Sequence, residues 1–296
     1  GAFARLFPAA EFYVTDKQYS FPIPQRSFRD GLPRWAQPLP PTSQGLTMWD
    51  GEFEHEVLTV KPGPGSEYQD AAFLHKPSKT LLLCDALFAT DGEPPSILTS
   101  TPRLTRALLF HARDSADELV VDSPEARRKG WRRIVLLSNF FFPGGAKVDL
   151  GLGPILAALK NTGYPLGWGG WLPFSWREGM DEKAFEAYSE KGKPTIFTII
   201  QIILARGESG QATQQWVDTV KLWDFDRVVP AHLDAPLAIG PSQFAQTFDF
   251  IQSGRNQVRF CDEDVAFLRK AEKGLLRFSV FKSKLGVLVG TNCGLI

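Results

Sequence analysis

At 296 residues, with 43% hydrophobic content, 23 Phe and 8 Trp, the chain can bury a sizeable core as one large domain or two ordinary ones. Lys plus Arg and Asp plus Glu both total 33, so no net field draws it to nucleic acid or to an acidic partner. Three cysteines, Cys84, Cys261 and Cys293, are odd in number and far apart. That excludes a disulfide framework and a CxxC metal knuckle, and reads as reduced thiols with Cys84 in the core.

Gly1 shows neither an initiator Met nor a signal-peptide pattern, so the chain reads as processed, or as starting part-way into a longer precursor. Glu11 to Thr15 reads as a short strand, the proline-rich stretch Pro22 to Pro41 as a surface loop, and Glu52 to Val60 as a strand. The chain is organised around Val57 to Phe88, VLTVKPGPGSEYQDAAFLHKPSKTLLLCDALF: a strand, a Pro/Gly turn and a hairpin. The second arm, Thr80 to Cys84, is apolar without alternation, which predicts a strand buried on both faces. It stops at Asp85. A carboxylate at the end of a buried strand costs free energy unless something satisfies it, so any chemistry belongs here.

A four-residue loop over Lys76 to Lys79 pairs His75 with Thr80 and Phe73 with Leu82, and sets Asp70 across from Asp85. Facing carboxylates need a metal, a shared proton, a cation or a bulge. Because acids are usually exposed, a bulge or a solvent-facing Asp70 is the expectation.

Ala89 to Ser100 is turn-like, and Leu104 to Arg113 fits a helix or a strand equally. Ser123, Pro124 and Glu125 predict a helix start, with Arg127, Arg128 and Lys129 before Gly130 suiting its other end. Trp131 to Phe142 is too apolar to be exposed, and a Gly- and aromatic-rich insertion at about 144–194 shows little regular pattern. The apolar run Thr195 to Ala205 is about half of the roughly 20 residues a membrane span needs, so no transmembrane segment is predicted. Further on come a helix from Thr213 to Trp223, a strand Arg227 to Val229, a helix behind Gly240, Pro241 and Ser242, another from Asp262 to Gly274, and strands in Leu275 to Val289. No GxSxG elbow, P-loop or GxGxxG strand-to-helix turn occurs.

Two stretches suit binding. Arg127, Arg128, Lys129, Arg132 and Arg133 put five cations in seven residues, a solvated helix end or a patch for phosphate, anionic lipid or acidic protein. Tyr164, Trp168, Trp171, Phe174 and Trp176 would, if exposed, anchor a partner protein or a membrane surface.

The stretch PGPGSEYQDAAFLHKPSKTLLLCDALF resembles the hairpin of the metallo-β-lactamase fold, where a zinc-binding histidine after a Pro-Gly turn precedes two strands and a bridging aspartate; FDRVVPAHLDAP resembles its last strand and last ligand histidine. Together with GAFARLFPAAEFYV and VVDSPEARRKGWRRIVL, these segments resemble an uncharacterised plant, algal and cyanobacterial family built on that fold. The resemblance implies an α/β protein, an αββα sandwich that lacks its first strands, as a single domain over 1–296. It puts Asp85 in place of the bridging carboxylate, His232 in place of the last histidine and Ser66 where the middle histidine stands. The HxHxDH motif of the hydrolases is nowhere in the chain. A hydrolytic zinc takes three protein ligands and an open position. With Asp85 and His232 as the only recognisable metal candidates, the expectation is a vestigial site with no cofactor. The expected role is a non-catalytic accessory subunit docking onto a larger plastid complex beside the thylakoid membrane. The alternative is a zinc-dependent hydrolase of an ester or thioester with ligands from upstream.

Overall fold

The computed structural model describes residues 2–15, 33, 35–43, 48–63, 66–115, 118–149, 151–153, 155–156, 174–254 and 258–277. The described chain is mixed α/β, as the sequence predicts. Its elements are α1 (Ala2–Leu6), β1 (Tyr13–Val14), β2 (Gln37–Pro38), β3 (Phe53–Gly63), β4 (Ser66–His75), β5 (Thr80–Leu83), α2 (Ser96–Thr99), α3 (Pro102–Ala112) and α4 (Pro124–Phe140). There follow β6 (Ala146–Val148), β7 (Phe174–Trp176), α5 (Met180–Ser189), α6 (Thr198–Leu204), α7 (Glu208–Val220), β8 (Arg227–Pro230), α8 (Pro241–Thr247), α9 (Phe250–Ser253) and α10 (Ala266–Arg277). Among the described residues no helix is long and apolar enough to cross a membrane. The chain divides into two compact units, one of Gly1–Phe88, Pro194–Gln257 and Glu272–Val287, the other of Ala89–Lys193, Val258–Ala271 and Leu288–Ile296.

The first unit is built on a four-stranded sheet of order β3-β4-β5-β8. The hairpin register is the predicted one, with His75 opposite Thr80 and Phe73 opposite Leu82. Its turn closes with Lys79 at φ +48°. The segment Thr80 to Leu83 is apolar because β5 is internal, antiparallel to β4 and parallel to β8. Leu81 and Leu83 enter the core with Leu58, Val60, Ala72 and Leu74, where α6, α7 and α8 bring Ile203, Trp216, Val217 and Phe244 onto one face of the sheet. Trp216 locks α7 to β3 by donating Nε1–H to the Glu56 carbonyl at 3.2 Å. The apolar run Thr195 to Ala205 thus becomes a buried helix, α6.

In the second unit Ser123 caps α4 by accepting the Ala126 N–H, as its sequence predicts. The helix then runs on through Gly130 to Phe140 instead of ending there. Gly130 is a contact point: a Cβ on it would lie 1.8 Å from the Leu108 carbonyl oxygen of α3. Phe141 and Phe142, expected inside, are 47% and 39% exposed. They follow the helix end, where Phe141 adopts φ +58°, a rare conformation for a bulky residue. Among the described residues of 144–194, β6 runs antiparallel to β7 and α5 follows, more regular than expected. Helix α10 starts later than Asp262 and continues past Gly274 to Arg277; the rest of the predicted strands in Leu275 to Val289 lie outside the described residues. Cys261 is disulfide-bonded, which corrects the expectation of a reduced thiol there, while Cys84 is free.

Candidate functional site

β5 and β8 run parallel, so they deliver their carboxyl ends to the same edge. Ala231 extends that pairing by donating its N–H to the Leu83 carbonyl at 2.9 Å, which carries His232 to Asp85. The chain turns back at once through Leu233 at φ +65°, and Val228 and Leu237 exchange both backbone hydrogen bonds. This tight return fixes His232, and its ring meets the Phe197 ring edge-on at 5.7 Å. His232 donates Nε2–H to Asp85 Oδ1 at 2.8 Å.

Cys84 completes the cluster, and one ligating atom from each of Cys84, Asp85 and His232 lies within 4.8 Å of the others. Sequence reading placed Cys84 in the core, but the residue is exposed, because β5 has ended and the chain no longer alternates into the apolar layer. Partial burial of its sulfur, followed by the charges of Asp85 and Asp70, pushes the thiol up to about 12.

Asp70 is buried, not solvent-facing. The β4–β5 ladder stops at Phe73 and Leu82, so the acids do not meet as a cross-strand pair. The Asp70 carboxylate instead accepts the N–H of Ala71 at 2.7 Å and that of Asp85 at 3.1 Å. Burial, opposed by these backbone hydrogen bonds and reinforced by the Asp85 charge, raises Asp70 to about 7. Sequence reasoning found its neighbour but not its role; the missing signal was that a strand-end acid can be satisfied chiefly by main-chain donors, here with the Tyr68 hydroxyl at 3.5 Å beside them.

The other three of the four histidines are held elsewhere. His55 is buried and donates Nε2–H to the Pro40 carbonyl at 2.9 Å. His75 bonds Ser78 and Glu52 at 2.6 and 3.1 Å. His111, in the second unit, is pushed down to about 4 by burial and then by the charges of Arg113 and Arg133. Zinc fits this arrangement poorly. Donor atoms on one zinc lie roughly 3.3–3.7 Å apart, whereas His232 Nε2 and Asp85 Oδ1 are 2.8 Å apart in a direct hydrogen bond.

The five clustered cations are each matched by acids. Arg127 makes a two-point pair with Asp122 at 2.6 and 2.8 Å. Arg128 reaches Glu125 at 3.1 Å, Lys129 reaches Asp114 at 2.7 Å, and Arg132 reaches Glu182 at 3.8 Å. Arg133 belongs to the interior and not to any surface patch: its side chain is 2% exposed, pairs with Asp181 at 3.2 Å, and donates to the carbonyls of His111, Ala112 and Arg113 at the end of α3. Of the aromatic cluster, Trp168 and Trp171 lie outside the described residues. Phe174 and Trp176 are half-buried in β7, and the Trp176 ring takes the Arg133 guanidinium at 5.0 Å. Exposed aromatics among the described residues include a cluster elsewhere: Phe142 and Phe267 lie edge-to-face at 4.5 Å, with Phe141 at 6.4 Å from Phe267.

A family described as a domain of unknown function, DUF4336, matches residues 1–250. No curated protein and no solved structure matches the chain.

Proposed function

We propose that this chain, which belongs to the DUF4336 family of domains of unknown function, is a non-catalytic accessory protein built on a metallo-β-lactamase-like αββα scaffold. The antiparallel hairpin, the parallel last strand and the two residues at their carboxyl ends support the scaffold reading. One observation carries the non-catalytic reading: of four histidines only His232 reaches the strand-end cluster, and its Nε2–H is already given to Asp85. A hydrolytic zinc needs three ligands and a bound water near pKa 7. Here one imidazole, one carboxylate engaged with it and one thiol stand in that place.

The docking role rests on the second unit. Phe141, Phe142 and Phe267 expose 47%, 39% and 38% of their surface and gather at one spot, of the kind that marks interaction surfaces. Holding Phe141 at φ +58° costs roughly 1–3 kcal/mol, and such strain is commonly kept where function uses it. The resemblance to a plant, algal and cyanobacterial family supports a plastid setting, peripheral to the photosynthetic membrane. The test is hydrolysis of a chromogenic ester and a thioester after incubation with zinc. The expected result is no turnover above that of the Asp85→Ala, His232→Ala double variant; turnover that this variant loses would establish the hydrolase instead.

A further inference from the structure

A cavity of about 940 Å³ in the first unit, a size typical of small-molecule sites, wraps past the carboxyl end of β5. Phe73 and Leu82 line one wall, a cross-strand pair that alternates with the core residues Ala72, Leu74, Leu81 and Leu83 and so faces away from them. Leu83, Ile200 and Ile203 line the wall on the core side. Both walls lead to Cys84 and Asp85 at the strand end.

Charge in this lining has one sign. Glu67, Asp70 and Asp85 line the cavity, and among the described residues no Lys, Arg or His does. The three acids differ in what they offer a ligand. Glu67 is answered by Lys61 at 3.1 Å. Asp70 is 5% exposed and accepts two backbone N–H groups, so it contributes field rather than contact. Asp85 is the reachable acid: its side chain is 37% exposed, and with His232 on Oδ1 the carboxylate keeps further acceptor sites.

We infer that this cavity binds a lipophilic amine in its protonated form, an apolar body that ends in an ammonium group. An ammonium has three donors and no acceptor, which complements a lining of carboxylate oxygens without a cation. Its hydrogen bond to Asp85 is charge-assisted on both sides, roughly twice as strong as a neutral one. Asp70 behind Asp85 adds attraction without giving up its own hydrogen bonds. Tyr13, Trp49 and Phe53 give the apolar lining an aromatic character that also favours a cation over an anion. A carboxylate head meets like charge here, and an alcohol forgoes the ionic attraction. The inference needs Asp85 as a free carboxylate and not as a metal ligand, so it stands apart from whether the strand-end cluster catalyses anything.

The experiment is calorimetric titration of the purified protein with decylamine, decanol and decanoate, each below its micelle concentration. It is run at pH 8, above the value of about 7 for Asp70. Decylamine should bind saturably at one per chain, with decanol and decanoate at least about tenfold weaker. Asp85→Asn should remove most of the advantage of decylamine over decanol, whereas Glu67→Gln should leave it in place because Lys61 already answers that charge. A photoreactive decylamine should label wild-type protein at cavity residues such as Phe73 or Leu82, which keeps the test independent of any variant that fails to fold. Decanol or decanoate binding as tightly as decylamine, no saturable decylamine binding, an advantage unchanged in Asp85→Asn, or labelling confined to other sites would overturn the inference.

Discussion

Asp70 Oδ2 accepts the backbone N–H of Asp85 across 3.1 Å, so the two acids that the hairpin brings to one strand end are joined through the main chain. Fully buried, Asp70 moves from its ordinary 3.8 to about 7. The fold therefore binds a proton that the unfolded chain has already released between those two values. Stability contributed by this group is fully present below pH 3.8, falls as pH rises, and is gone above about 7. Urea midpoints from pH 4 to 8 should show this loss in the wild type and a flatter profile in Asp70→Asn. An equally steep profile in the variant would assign the dependence to other groups.

Gly130 is where α4 touches α3. Gly130→Ala puts a methyl 1.8 Å from the Leu108 carbonyl oxygen, and backbone cannot yield as a flexible side chain can. The expected loss is roughly 1–3 kcal/mol or more, despite the better helix propensity of alanine. Thermal unfolding of the variant measures it; a stabilised protein would mean the helices separate at little cost.

Arg133→Met should cost about 3–5 kcal/mol, because it strands the buried Asp181 carboxylate and uncaps three carbonyls at the end of α3. Arg127→Met, at an exposed pair, should cost at most about 1 kcal/mol. Chemical denaturation of both variants checks the contrast, and equal costs would contradict it.

What the sequence made legible follows from local rules. The register of β4 on β5 came from turn length, and the start of α4 from a Ser-Pro-Glu cap. What stayed hidden depended on tertiary neighbours. Gly130 looked like a helix terminus because its contact with Leu108 is invisible in one dimension. Phe141 and Phe142 looked buried because a run of aromatics reads as core. At the site, Asp85 and His232 were readable from their strand ends, while Cys84 and the buried Asp70 were misplaced, since the ladder ends at Phe73 before reaching them.

Replacing Phe142 and Phe267 together by serine should leave the unfolding midpoint nearly unchanged, within about 0.5 kcal/mol per site, if they form a surface. The docking proposal predicts that wild-type protein sediments with solubilised photosynthetic membranes and that this variant does not. A collapse in stability would make the aromatics core residues; unchanged association would place docking elsewhere.

Elemental analysis of protein purified without chelator tests the non-catalytic account most directly. It predicts zinc, iron and manganese well below one ion per chain, with no change in His232→Ala or Asp85→Ala. One ion per chain, lost when either residue is replaced, would contradict it.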